Sequence, residues 1–247
     1  MVNSNDAVRD RILELFERIY VINLPYRTDR KRQIEKQLNK LSLSFSDKEV
    51  ILFEAVRPES EGKWPTVGAR GCFMSHVKLL KNAKKMNYRS ILILEDDADW
   101  SDSFLSNSNA VVDELSSLKF DYLHGGDTVG KTNPRFKSLS PNEEVGLTHF
   151  VGLSRKAIYG LVPYLETMAE REAGHPLGGP MHVDGAYNWF RKDHPDIQSI
   201  LAVPSIAEQR PSRTDVHALH WTDRAPVLSS LKNALRPLVN FYRKNTN

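Results

Sequence analysis

The sequence predicts an α/β fold in which a mostly parallel central sheet is covered by helices. Three observations carry that expectation. The apolar runs Ile19-Tyr20-Val21-Ile22-Asn23-Leu24 and Ile91-Leu92-Ile93-Leu94 have the length and pattern of strands buried on both faces. Segments with apolar residues at helical spacing stand between such runs, and strands alternating with helices build parallel sheets. The chain has 247 residues, of which 40% are hydrophobic and 26% charged, enough for a well-buried core.

The elements follow in order. Residues 6–17 form a short helix with Val8, Ile12, Leu15 and Phe16 on one face and Asp6 as its N-cap. The strand 19–24 stops at Pro25, which lacks the N–H that a sheet requires. Asp29 is the expected cap of a helix bearing Ile34, Leu38 and Leu41. Val50-Ile51-Leu52-Phe53 is a second strand, and a polar loop through Pro58, Gly62 and Pro65 leads to a helix marked by Phe73, Val77 and Leu80. After the strand 91–94, Val111, Val112, Leu115 and Leu118 mark another helix before the strand 120–123. Residues 124–146 hold Gly125, Gly126, Gly130, Pro134, Pro141 and Gly146 and read as a long loop, either a lid or disordered. Regular structure resumes at 147–154 and in a helix with Ala157, Leu161, Leu165 and Met168. A second Gly/Pro loop, 174–180, precedes His182-Val183-Asp184-Gly185, and Ser199–Val203 is the last strand.

Composition narrows the function. Lys and Arg number 34 against 31 Asp and Glu, a net charge of +3 that is too weak to imply a nucleic-acid partner. The single cysteine, Cys72, excludes an internal disulfide and fits a reducing compartment. No apolar run approaches the roughly 18 residues of a membrane span. The start, Met1 to Asp6, lacks the basic and apolar stretches of a signal peptide, so a cytoplasmic protein is expected.

Three constellations can carry chemistry. The strand 91–94 runs into Glu95-Asp96-Asp97-Ala98-Asp99. Burying the four aliphatic side chains contributes roughly 1.5–3 kcal/mol each, which anchors the strand in the core. Crowded carboxylates at its end become favourable if a hard divalent cation, Mg2+ or Mn2+, sits among them. On an extended strand Asp97 and Asp99 share a face and Asp96 points elsewhere. A solvated turn capping the helix that begins near Ser101 remains an equal alternative. Second, Asn23-Leu24-Pro25-Tyr26-Arg27-Thr28-Asp29-Arg30 is a basic turn entering a helix, either an anion site or an exposed helix start. Third, Gly68-Ala69-Arg70-Gly71-Cys72-Phe73-Met74-Ser75-His76 places polar groups at an apolar helix start, with His76 either a satisfied structural residue or a catalyst. There Cys72 reads as a small buried residue, with no partner base to make it a nucleophile.

Together these segments resemble glycosyltransferase family 25, which includes bacterial lipooligosaccharide and collagen galactosyltransferases. Val21-Ile22-Asn23-Leu24 with Arg27, Asp29 and Arg30 matches the family's opening strand and basic turn. Gly71–His76 matches its Gly-Cys-x-x-Ser-His element, and Ile93-Leu94-Glu95-Asp96-Asp97 its acidic strand end. Leu153-Ser154-Arg155-Lys156-Ala157, His182-Val183-Asp184, and Val203-Pro204-Ser205 with Gln209 and Asp215 resemble later motifs. Val151-Gly152 departs from the family's aromatic position, and Arg213-Thr214 interrupts its final Ser-Asp.

The resemblance implies a GT-A-type nucleotide-sugar-binding fold and an inverting transfer of a hexose, with galactose expected, from a UDP-sugar. The acceptor is a saccharide, glycoconjugate or glycolipid, as in lipopolysaccharide biosynthesis. It implies one domain over 1–247, with a donor-nucleotide half at about 18–124, an acceptor-side half at about 125–222 and a tail at about 223–247. Asp97, with Asp99, holds the divalent cation, and Asp96 faces the ribose or sugar. Asn23, Leu24, Arg27, Arg30, Ser75, His76 and Glu95 complete the donor-binding set. An inverting transfer needs a base, and Asp184 is the candidate, with a helix N-cap as its other reading. His217 and His220 are candidates for a further metal ligand or plain surface residues. In the tail, Val227, Leu228, Leu231, Leu235, Leu238 and Val239 form an apolar stripe opposed by basic residues. It reads either as a helix packed on the body or as a peripheral contact with the inner face of a membrane. A non-catalytic nucleotide-sugar or glycan-binding protein is the alternative function.

Overall fold

A computed structural model describes residues 4–210. In chain order its elements are α1 (Ser4–Leu15), β1 (Arg18–Asn23), α2 (Thr28–Asn39), β2 (Val50–Glu54), α3 (Val67–Lys85), β3 (Ser90–Glu95), β4 (Ala98–Trp100) and α4 (Asp102–Ser106). There follow α5 (Ser108–Ser117), β5 (Tyr122–His124), β6 (Arg135–Ser138), β7 (Phe150–Ser154), α6 (Arg155–Glu170), α7 (Val183–Asp193), β8 (Ser199–Val203) and β9 (Ala207–Gln209).

Seven strands form one sheet in the order β2-β1-β3-β7-β5-β8-β6. β2, β1, β3, β5 and β8 run one way, and β7 and β6 run against them. β4 and β9 pair antiparallel in a small second sheet. Side chains alternate across the main sheet as a strand's period of two requires. Tyr20, Ile22, Ile91 and Ile93 enter a core with α3, α6 and α7, whereas Ile19, Val21, Leu92 and Leu94 enter one with α1, α2 and α5. Helices thus cover both faces of a central, mostly parallel sheet, the α/β arrangement expected.

Local sequence sets the elements that matter for the site. In α2 the buried residues are Arg30, Ile34 and Leu38, spaced four apart on one stripe. Ile34 and Leu38 seat the helix on the sheet, and the same stripe turns Arg30 toward the carboxyl ends of the strands. α3 begins at Thr66, whose side chain accepts from the Ala69 N–H at 3.0 Å. Gly71 lets α3 approach the chain after β2, because a Cβ there would lie 2.9 Å from the Val56 carbonyl oxygen. Ser154 caps α6.

Several expectations are corrected. Asp6 and Asp29 lie in the first turns of α1 and α2 rather than at their caps, and Arg27 holds the cap position of α2. The presumed loop 124–146 contains β6, an outer strand paired with β8. Its residues are mostly exposed, so burial leaves no apolar alternation in the sequence. The last strand of the acidic segment also breaks early: β3 ends at Glu95, the chain turns at Asp96-Asp97, and β4 starts at Ala98. Asp215, His217, His220, the Arg213-Thr214 interruption and the amphipathic tail lie outside the described residues. No helix among the described residues is long and apolar enough to cross a membrane.

The departure at Val151-Gly152 has a steric reason. A Cβ at Gly152 would lie 2.9 Å from Cε1 of the buried Phe16 ring and 3.2 Å from Leu123 Cβ. Phe16 therefore occupies the space that a larger residue at 152 would need. Gly152→Ala is expected to destabilise the fold by about 1–3 kcal/mol through overpacking, measured by urea denaturation. An unchanged midpoint would show that the ring yields freely.

Candidate functional site

β1, β2 and β3 are parallel neighbours, so their carboxyl ends share one edge of the sheet. A cleft of about 760 Å3 opens there. Open α/β sheets bind ligands at such an edge. Asn23, Leu24 and Tyr26 enter from the end of β1, residues 55–59 from the end of β2, and Glu95 and Asp96 from the end of β3. Arg30 closes one side, and the N-terminal half of α3 forms the other.

A buried acid pair organises the base of this cleft. Asp96 Oδ1 accepts from Arg30 Nη1 at 2.8 Å, and its Oδ2 accepts from Asn23 Nδ2 at 2.7 Å. Asp97 Oδ2 accepts from the same Arg30 Nη1 and from Gln209 Nε2, each at 3.4 Å. Asp97 Oδ1 is buried with no hydrogen-bond partner among the described residues. Burial raises the Asp97 carboxyl above the ordinary range, against the pull of Arg30. Glu95 accepts from Thr148 Oγ1 at 2.7 Å and is pushed up to about 8 by burial and then by the charge of Asp97.

The expected cation requires hard oxygen donors. Asp97 Oδ1 is such a donor, and two carboxylates here share one guanidinium, leaving negative charge uncompensated. Asp97 therefore offers one free ligand atom to a divalent ion, beside an Asp96 whose two oxygens are already bonded to Arg30 and Asn23. Asp99 is placed differently. It is held by Arg210, whose Nε donates to its Oδ2 at 2.9 Å. The shared face of Asp97 and Asp99 assumed one continuous strand, and the turn after β3 removes it. Asp96 and Asp97, not Asp97 and Asp99, are the acids that meet.

The other predicted residues divide into those at the cleft and those beside it. Asn23, Leu24, Arg30, Ser75, Glu95 and Asp96 line it. Ser75 does so with its hydroxyl engaged, donating to the Gly71 carbonyl at 2.6 Å and accepting from the Val56 N–H at 2.8 Å. Arg27 instead pairs with Asp29 through two 3.0 Å contacts and holds that carboxyl down to about 2. His76, on α3, is fully buried, and burial brings its ring down to about 4 and keeps it neutral. Asp184 lies in the first turn of α7, accepting from the N–H groups of Gly185 at 2.8 Å and Leu147 at 3.3 Å. His182, not Asp184, holds the cap position. The charge of Asp184 reaches Glu95 and adds to the rise in its pKa.

Sequence reasoning missed four contributors. Cys72 is partly exposed and lines the cleft rather than filling the core. Tyr26 and Arg57 stand at the mouth, the guanidinium 4.9 Å over the ring. The signal for Arg57 was its place in the polar loop directly after a parallel strand. Nothing in the sequence marked Thr148 as the partner of Glu95.

The fold and site define an α/β protein with an acidic, nucleotide-sized cleft at the carboxyl edge of its sheet. The model described as glycosyltransferase family 25 (LPS biosynthesis protein) matches residues 16–138, from the end of α1 through β6. The chain belongs to glycosyltransferase family 25. It is 22% identical over 198 residues to procollagen galactosyltransferase 1-B of Xenopus laevis, covering 73% of this chain and 32% of that protein. It is also 22% identical over 227 residues to the probable inactive glycosyltransferase 25 family member 3 of Bos taurus, covering 78% and 36%. The chain thus spans about a third of the length of these curated relatives. Among solved structures, a glycosyltransferase involved in the glycosylation of the major capsid of PBCV-1 aligns with a TM-score of 0.42 at 14% identity, covering 74% of this chain and 79% of that one.

Glu95 gives the site a pH signature. An unfolded chain ionises this residue near 4.5, while the folded protein keeps its proton up to about pH 8. Between those values the folded state binds the extra proton, so this group's contribution to stability falls as pH rises. In chelator-treated protein, Glu95→Gln is expected to gain melting temperature relative to the parent between about pH 5 and about pH 9. Equal differences at both pH values would contradict the raised pKa.

Proposed function

We propose that this chain is an inverting, metal-dependent glycosyltransferase that moves a hexose, galactose in this reading, from a UDP-sugar to a saccharide or glycoconjugate acceptor. The observation that carries the proposal is the 760 Å3 cleft whose base joins Asn23, Arg30 and Asp96 at the ends of three parallel strands. Family membership supplies the reaction class. Acceptors of lipopolysaccharide type, a cytoplasmic setting and contact with a membrane surface belong to the same proposal.

Asn23, Arg30 and Asp96 orient the nucleotide, and Tyr26 with Arg57 offers an aromatic face and a cation at the mouth. Asp97, with Asp96, would hold the divalent cation. When bound, that ion counters the charge that builds on the departing diphosphate. Asp184 takes the proton of the acceptor hydroxyl as its oxygen bonds to the anomeric carbon and the bond to UDP breaks. Attack from the face opposite UDP inverts that carbon. Asp99, tied to Arg210, acts by fixing the turn that presents Asp97.

A second reading, a non-catalytic nucleotide-sugar or glycan-binding protein, is favoured by the Val151-Gly152 departure and by the likeness to a relative named as probably inactive. Two substitutions separate the readings. Asp184→Asn is expected to lower transfer by about 10²–10⁴-fold while UDP affinity is unchanged. Asp97→Asn is expected to abolish metal-dependent turnover, measured as UDP release, with an unaltered circular dichroism spectrum. Near-normal turnover in either variant would remove that residue from its role. Binding of UDP-sugars without transfer or hydrolysis under Mn2+ or Mg2+ would favour the binding protein.

A further inference from the structure

We propose that Cys72, His76 and Glu95 form a second cation site, suited to a thiophilic divalent ion of the Zn2+ class and separate from the Asp96–Asp97 pair. Cys72 and His76 stand four residues apart on α3 and so share a helix face, opposite the end of β3. Cys72 Sγ, His76 Nε2 and a Glu95 carboxylate oxygen lie within 4.8 Å of one another. Sγ and Nε2 are each 4.0 Å from Glu95 Oε1.

His76 points to a ligand independently of the cysteine. Its ring is fully buried, and Nδ1 is fixed by Tyr187 Oη at 2.8 Å. Nε2 has no hydrogen-bond partner among the described residues. A buried, unpartnered ring nitrogen is costly, and a metal ion at Nε2 would satisfy it. Tyr187 then serves as the outer partner that orients a ligating imidazole.

The donor set selects the ion. Sulfur, imidazole and one carboxylate suit borderline-soft metals such as Zn2+, whereas Asp96 and Asp97 offer only hard oxygens. Tetrahedral zinc places its ligands about 3.3–3.7 Å apart, so the three side chains must close by roughly an ångström or less. Ion entry releases the Sγ proton to water and leaves the sulfur bound as thiolate. Cys72 and Glu95 border the cleft, so the fourth coordination position opens toward it.

The test is a Co2+ titration of the full, metal-stripped chain, read by the near-ultraviolet thiolate-to-cobalt charge-transfer band. Cys72 is the chain's only cysteine, so the band reports that sulfur alone. A band saturating at one equivalent and reversed by Zn2+ is expected. It should vanish in Cys72→Ser, need at least tenfold more Co2+ in His76→Gln and Glu95→Gln, and persist in Asp97→Asn. Absence of the band, its loss in Asp97→Asn, or an unshifted titration in Glu95→Gln would overturn the proposal. Glu95→Gln decides alone if the buried His76→Gln variant does not fold. The readout needs no glycosyl transfer, so its outcome is distinct from that of the function proposed above.

Discussion

The Arg30 guanidinium between Asp96 and Asp97 is the interaction on which the site depends. Two adjacent carboxylates, each buried, would repel one another strongly at the end of β3 without a cation between them. Removing one partner from a buried ion pair typically costs about 3–5 kcal/mol, because it leaves a charge without compensation. Arg30 cannot act from anywhere else. It is set there by Ile34 and Leu38, the next two residues of its stripe, which pack into the core beside β1. Apolar burial on one helix therefore fixes the electrostatics of a turn some 66 residues later in the chain.

The same logic extends outward from that pair. Asn23 ties the end of β1 to Asp96, and Gln209 and the Arg210 N–H tie β9 to Asp97. The small sheet of β4 and β9 thus holds the acidic turn through β9. Thr148, just before β7, holds Glu95, while Asp184 approaches from α7. Elements from both halves of the chain converge on five consecutive residues. A parallel order of β2, β1 and β3 makes this possible, since only parallel neighbours end at one edge.

Much of this was legible in the sequence, for physical reasons that can be stated. The strands 19–24 and 91–94 were visible because burial on both faces requires unbroken apolar runs, and the basic turn and acidic end followed directly. The pairing of the acids was not. Strand alternation would pair Asp97 with Asp99, but the chain leaves the strand at Glu95, so Asp99 meets Arg210 and Asp96 joins Asp97 on Arg30. Arg27 looked equivalent to Arg30 but lies off the buried stripe and pairs locally with Asp29. Cysteine is a residue type often buried, and no local pattern in the sequence shows that α3 presents Cys72 to a cleft. β6 escaped notice because an exposed edge strand carries no hydrophobic period.

On the proposed function, the cleft between Asn23, Arg57 and α3 receives the nucleotide of the donor. Amide hydrogen exchange of the chain with and without UDP and Mn2+ tests it most directly. Slower exchange is expected in peptides covering residues 23–30, 55–59 and 67–76, with little change in α5 or α6. Unchanged exchange in those three segments at saturating UDP, or protection confined to other parts of the fold, would contradict it.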